Sequence, residues 1–206
     1  MIHSRFITFE GGEGSGKSTQ IKLLSKKLST YVDVIVTREP GGTQEAEKIR
    51  KLLVRGHKDR WDPIVETLLL FAARKEHVSN IIIPNLKKGN WVLCDRFNDS
   101  TTVYQGLGKN VNLQLIKYLE KATTHNLKPL RTFYLDIDPK IGLSRSNRNN
   151  NKELRYESMS LRYHNKVRRS YLSLAKKYKN RIKVINANKS IQEIEHNIWN
   201  EILKLL

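Results

Sequence analysis

Gly11-Gly12-Glu13-Gly14-Ser15-Gly16-Lys17-Ser18 lies between an apolar run, Phe6-Ile7-Thr8-Phe9, and a stretch with helical spacing that starts at Lys17. Glycines let a chain turn tightly and aim several backbone N–H groups into one concavity, and the helix that follows adds its positive end. This is the pattern of a phosphate-binding loop. It places Gly11, Gly12, Glu13, Gly14, Ser15, Gly16, Lys17, Ser18 and Thr19 around the phosphates of a nucleoside triphosphate. Lys17 is set to reach the β- and γ-phosphates, and the Ser18 hydroxyl to ligate Mg²⁺. The alternative is a glycine-rich turn with a chance lysine, and the strand–loop–helix context argues against it.

Strand and helix signals alternate outward from this loop, which predicts an α/β domain whose mostly parallel sheet is covered on both faces. Strands are expected over 5–10, 33–37, 91–94, 131–135 and 182–185. Helices are expected over 17–29, 43–55, 112–124, from 139 to 145, from the lid to about 178, and from 190 onward. A long helix over 63–88 should bend near Pro84, because proline cannot donate within it. The run Ser146-Asn147-Arg148-Asn149-Asn150-Asn151-Lys152 has nothing to bury and reads as a flexible loop. No repeat or linker divides the chain, so 1–206 reads as a single domain with a lid insertion around 144–157.

Two further groups carry chemistry. In Val92-Leu93-Cys94-Asp95-Arg96 an apolar strand ends on a carboxylate, where an acidic residue meets the magnesium site of a phosphate-loop enzyme, with Arg96 facing the same crevice. A surface ion pair at a strand end is the alternative. Arg145, Arg148 and Arg155 lie in and around the Asn-rich run. Flexible arginines that close over a transferring phosphoryl group neutralise the charge on its oxygens and exclude water, whereas a solvated basic loop would do neither.

Composition narrows the setting. The single cysteine of the 206 residues, Cys94, excludes an intramolecular disulfide and fits a reducing compartment. No leader-like segment or membrane-length apolar stretch is read, and a cytoplasmic location is expected. The net charge of +18 would attract polyanions. The basic residues are scattered, several fall within the phosphate motifs, and no zinc-finger spacing is present. A nucleic-acid partner is therefore not expected.

Taken together, the segments resemble bacterial-type thymidylate kinases over nearly the whole chain. The resemblance rests on Phe9-Glu10-Gly11-Gly12-Glu13-Gly14, Thr37-Arg38-Glu39-Pro40-Gly41-Gly42-Thr43 and Ala46-Glu47-Lys48-Ile49-Arg50. Leu70-Phe71-Ala72-Ala73-Arg74, Asp95-Arg96-Phe97 with Ser100-Thr101, and Tyr104-Gln105-Gly106 complete it. It implies a phosphate-loop fold with a five-stranded parallel sheet in the order 2-3-1-4-5, a homodimer, and transfer of the ATP γ-phosphate to dTMP. It also implies roles. Phe71 would stack on the thymine ring, with Arg74 donating to a base carbonyl and Thr101 and Gln105 at the base edge. Tyr104 would lie against the sugar and Glu13 would meet the 3′-hydroxyl. Arg50 and Arg96 would hold the acceptor phosphate, with Arg38, Glu39 and Ser100 shaping the site around it.

The chain departs from the family pattern in the lid, where Leu154 precedes Arg155-Tyr156-Glu157 in place of a common aspartate. Leu161 and His164 stand where aromatics are common, while Val167-Arg168 and Tyr171 fit. Which lid arginine meets the transferring group is left open. So are two alternatives, a kinase for another deoxynucleoside or nucleotide and a nucleotide-switched binding protein.

Overall fold

The computed structural model describes residues 5–147 and 155–206. Five strands form one all-parallel sheet: β1 (Phe6–Gly11), β2 (Val34–Arg38), β3 (Trp91–Asp95), β4 (Arg131–Asp136) and β5 (Ile182–Asn186). Their order is β2-β3-β1-β4-β5, as the resemblance implied. Every residue of β1 is buried, as a central strand between two helical layers requires. Its one hydroxyl, Thr8, is satisfied across the sheet by Thr132 Oγ1 at 2.7 Å.

Strand periodicity divides the core. Ile7, Phe9 and Leu93 face α1 (Lys17–Leu28) and the final helix of the chain, meeting Ile21, Leu24, Ile194, Ile198 and Trp199. Phe6, Val92 and Cys94 point the other way, onto Val78, Ile82 and Leu86. Side chains alternate with a period of two along a strand, so each strand feeds both layers. β1 lies between β3 and β4, and the order reverses there. A crevice opens at such a switch point beyond the carboxyl ends of the strands.

The helical layers follow the sequence with two main differences. After α2 (Gln44–Val54), the long predicted helix starts on schedule at α3 (Pro63–His77). The Asp62 side chain caps the N–H groups of Ile64 and Val65, and proline occupies the first turn, where its missing donor costs nothing. The helix then widens into a π turn over Val78–Ile82 before α4 (Ile83–Lys87). Pro84 is the physical reason, since it cannot donate to the preceding turn, and the Asn85 side chain donates to Ile81 O at 2.7 Å.

The second difference is α5 (Asn98–Thr101), which runs into a π turn over Thr102–Gly108 in a region with no predicted element. Packing holds it: Tyr104 meets Tyr156, Tyr163 and Tyr171 edge-on, and Tyr163 OH donates to Tyr104 O at 3.1 Å. The remaining helices are α6 (Leu113–Thr124), α7 (Pro139–Asn147), α8 (Leu161–Lys177) and α9 (Ile191–Leu203). α7 carries on to Asn147, past the predicted end of its helix. Most of the polar run, Arg148 included, lies outside the described residues.

Candidate active site

A cleft of about 780 Å³ opens at the carboxyl edge of the sheet. Its floor is the loop between β1 and α1. Gly14 holds φ at +64°, and a Cβ there would sit 2.0 Å from Gly142 O of α7, so this turn admits only glycine. Lys17 curls back over the loop, its Nζ donating to Gly11 O at 3.2 Å and Gly12 O at 3.1 Å. Burial, aided by Arg96, lowers the Lys17 pKa below its ordinary value, although Asp95, Glu13 and Glu10 oppose the shift. A buried ammonium held only by neutral oxygens, those two carbonyls and the Ser15 hydroxyl at 3.5 Å, gains by meeting phosphate oxygens.

Ser18 and Asp95 come together from α1 and β3, with Ser18 Oγ donating to Asp95 Oδ2 at 3.0 Å. Asp95 Oδ1 is buried and has no hydrogen-bond partner among the described residues. One hydroxyl and one carboxylate are hard oxygen donors, and an orphaned carboxylate oxygen beside a phosphate loop calls for a cation. Among the described residues no group of three or more His, Cys, Asp or Glu is placed to hold a metal ion. The set fits Mg²⁺, which takes few protein ligands and completes its shell with water and phosphate.

Arg96 follows directly, with a left-handed φ of 67° that a non-glycine residue rarely adopts. Its guanidinium reaches Glu13 Oε1 at 2.8 Å, Ser100 Oγ at 3.3 Å and Tyr104 OH at 3.4 Å. It also lies over the Tyr104 ring, 5.1 Å from the centroid. Burial pushes the Glu13 carboxyl up, but Arg96 and Lys17 outweigh it and hold the group ionised, below its usual range.

The far end is built on Glu39, which is buried and accepts from Arg74 Nε at 2.6 Å and pairs with His77 Nδ1 at 3.1 Å. Burial raises this carboxylate, yet Arg74 and His77 draw it below its usual range. His77 is held in turn by Thr37 Oγ1 at 2.6 Å. Arg74 also donates from Nη2 to Phe97 O and to Thr101 Oγ1, at 3.2 and 3.0 Å. Its Nη1 is buried with no partner among the described residues, and Arg74 lines the cleft. An arginine fixed on two sides with one N–H group left over is a ready donor to a ligand carbonyl.

Most of the other predicted residues converge here. Glu13 to Thr19, Arg38, Glu39, Arg50, Ser100, Thr101, Tyr104, Gln105 and Arg145 all line the cleft. Arg38 pairs with Glu47 at 3.1 Å, and Arg50 donates to Pro40 O at 2.7 Å. Gln105 donates to Glu66 Oε1 at 2.7 Å. Arg145 is exposed at the rim and donates to Ala187 O at 3.2 Å.

Gly11 and Gly12 lie behind the cleft wall, and two predicted side chains, those of Phe71 and Arg155, do not join the others. Phe71 is turned into the protein against Val111 and Ile116, and Leu70 lines the cleft in its place. Phe71 still touches the site indirectly, since the Arg74 guanidinium lies 4.8 Å from its ring centroid. Arg155 is likewise not on the cleft wall. It is buried, pairs with the fully buried Glu66 at 2.5 Å, and donates to Leu53 O, His57 O and Lys58 O at 3.0 to 3.2 Å. With its N–H groups spent on Glu66 of α3, on the end of α2 and on the segment between them, Arg155 anchors the end of the lid.

The residues that sequence reading missed are Leu70, Tyr156 and Glu10. All three stand within quoted segments, but nothing local marks Leu70 or Tyr156 as a site residue, and the partners of Glu10 lie far along the chain.

Known proteins resemble this chain in sequence and share its fold. The family model described as thymidylate kinase matches residues 9–198. The thymidylate kinase of Magnetococcus marinus is 44% identical over 202 residues, covering 98% of this chain and 96% of that protein. That of Caulobacter vibrioides is 43% identical over 207 residues, covering 100% and 99%. Among solved structures, the thymidylate kinase from Ehrlichia chaffeensis aligns with a TM-score of 0.79 at 34% identity, over 96% of this chain and 97% of that one.

Proposed function

The chain belongs to the thymidylate kinase family, and we propose how its own residues divide the work of that reaction. The γ-phosphoryl group of ATP passes to the 5′-phosphate of dTMP, giving dTDP and ADP on the route to dTTP. The acceptor phosphate is largely dianionic near neutral pH, so no general base is needed. Catalysis is then positioning plus neutralisation of charge.

Mg²⁺, held by Ser18 and Asp95, neutralises charge on the phosphate oxygens of ATP when bound. Lys17 exchanges its loop carbonyls for the β- and γ-phosphates, and the backbone N–H groups of the loop cradle them. Arg96, with Arg50, holds the acceptor phosphate in line, while Arg38 and Glu39 shape the floor. Glu13 receives the sugar 3′-hydroxyl and Tyr104 lies along the sugar. Arg74, backed by Glu39, donates to a base carbonyl, and Thr101 and Gln105 read the base edge. Leu70 supplies the apolar platform first assigned to Phe71. Arg145, exposed at the rim, and Arg148, outside the described residues, are the lid arginines proposed to meet the transferring group.

The observation that carries this reading is the pairing of two ends of one cleft. The phosphate loop stands with Ser18, Asp95 and Arg96 at one end, and an arginine with an open, buried N–H group stands at the other. Formation of dTDP from dTMP and ATP, and its loss in a folded Lys17→Ala variant, tests it.

We further propose that the enzyme is a homodimer of the cytoplasm, where its substrates are made. Support for the dimer comes from one layer of helices. Ile64, Val65 and Leu68 of α3, Leu52 of α2, and Leu113 and Tyr118 of α6 are large apolar residues left 40% to 71% exposed. α2 packs on α3 and α3 on α6, and large apolar residues left exposed on helices that adjoin are what a protein contact covers. Among the described residues no helix is long and apolar enough to cross a membrane.

A further inference from the structure

We propose that Glu10 is a positioning residue for the acceptor phosphate: from inside β1 it clamps the strained Arg96 turn and so aims the Arg96 guanidinium into the cleft. The proposal rests on the reading of Arg96 as the holder of that phosphate. Glu10 itself touches no substrate.

Glu10 is fully buried, and both carboxylate oxygens are used. Oε1 accepts the Phe97 N–H at 2.8 Å. Oε2 accepts from Ser100 Oγ at 2.6 Å and from Tyr171 OH at 2.7 Å. Ser100 Oγ lies 2.9 Å from Tyr171 OH and receives the Arg96 Nη1 donor at 3.3 Å.

Two routes therefore run from one carboxylate to Arg96. One passes through the backbone of the next residue, and the other through a hydroxyl that contacts the guanidinium. Arg96 needs both because its φ of 67° is disfavoured for a side-chain-bearing residue and persists only where its surroundings over-determine it. Its main chain is pinned as well, its N–H donating to Phe9 O at 2.9 Å and its carbonyl accepting from the Cys94 thiol at 3.1 Å.

The chemistry of the carboxylate points the same way. Among the described residues no cation hydrogen-bonds Glu10, whose partners are one amide and two hydroxyls. The nearby Asp99 is itself paired with Arg181 at 2.6 Å. Burying a carboxylate without an ionic partner is costly, and a neutral residue would fill the same volume at less cost. Tyr171 brings α8, the first helix after the lid, into the same node.

The test is a double-mutant cycle with Glu10→Gln and Arg96→Lys, read as separate KM values for dTMP and ATP. Glu10→Gln is expected to raise the KM for dTMP about tenfold while moving that for ATP less than about twofold. In the Arg96→Lys background the same change should cost less than about twofold, because there is no guanidinium left to aim. Full additivity, with Arg96→Lys itself damaging, would overturn this proposal and leave the role of Arg96 standing. A harmless Arg96→Lys would overturn the role of Arg96 and this proposal with it. A lower melting temperature with both KM values unchanged would show Glu10 to be structural only. Should Glu10→Gln not fold, Tyr171→Phe takes its place in the cycle, with a smaller rise in the dTMP KM expected and the same loss of effect beside Arg96→Lys. An unchanged dTMP KM in Tyr171→Phe would then count against the clamp.

Discussion

Replacing Arg155 by methionine keeps most of its bulk and removes every hydrogen bond it makes. The structure sets the size of the effect. Both partners of the Arg155–Glu66 pair are fully buried, and breaking a buried pair on one side costs about 3–5 kcal/mol. Glu66 keeps Lys109 at 2.8 Å and Gln105 at 2.7 Å, so its charge is not orphaned and the cost falls toward the low end. The carbonyls of His57 and Lys58 belong to exposed residues and can turn to water, whereas Leu53 is buried and its carbonyl loses its donor. A loss of about 3 kcal/mol results. For a chain of this size that lowers the melting temperature by about 6–12 °C. The assay is a thermal melt by circular dichroism, with kcat measured well below the transition. An anchor predicts the lowered melt with kcat within about fivefold of the parent. An unchanged melt with kcat down by two or more decades would show that Arg155 leaves Glu66 to act on the transferring phosphoryl group, as its place beside the lid first suggested.

Leu70→Ala removes the apolar wall of the base site and should raise the KM for dTMP about tenfold, whereas Phe71→Leu should cost about 1 kcal/mol of stability and leave that KM nearly unchanged. The reverse pattern would restore Phe71 as the platform. Burial and the neighbouring Asp99 raise the Glu10 pKa from 4.5 to about 7. A carboxyl that binds its proton more tightly when folded adds stability below its unfolded pKa and loses it as pH rises through the folded value. Relative to Glu10→Gln, the parent should therefore lose about 2–3 kcal/mol between pH 5 and pH 8 in denaturant titrations, and a pH-independent difference would contradict the shift. Light scattering at micromolar concentration should give twice the 24.0 kDa chain mass, falling to one chain in Leu68→Glu; a parent monomer would refute the apolar contact.

The phosphate loop was legible because its determinants are local. Phe6, Ile7 and Phe9 specify a strand, the glycines a turn and Lys17 the start of a helix, all within a dozen neighbouring residues. Asp95 and Arg96 were legible for the same reason, at the end of an apolar strand. The strand order came from resemblance, since nothing in β4 or β5 states which edge it joins.

Leu70 and Phe71 show where local reading stops. They are adjacent in an apolar run, and adjacent residues on a helix point about 100° apart. The run cannot say which one meets the cleft and which one meets Val111. Arg155 looks the same in sequence whether solvated or buried, because Glu66 lies far up the chain. The π turn over Thr102–Gly108 is held by tyrosines of the lid end and α8, not by its own propensities. Glu10 was quoted for its neighbours in the motif, yet its work depends on Phe97, Ser100 and Tyr171.

The central claim is that this cleft phosphorylates dTMP. An ADP-release assay with ATP, Mg²⁺ and dTMP, dUMP, dCMP, dGMP or thymidine as acceptor tests it directly, with chromatography of the product. The account predicts a clear preference for dTMP, dTDP as the product, and a loss of two or more decades in kcat/KM in folded Lys17→Ala. Turnover confined to another acceptor would keep the phosphate end and overturn the base site. No transfer to any acceptor, from folded protein that binds ATP, would contradict the account as a whole.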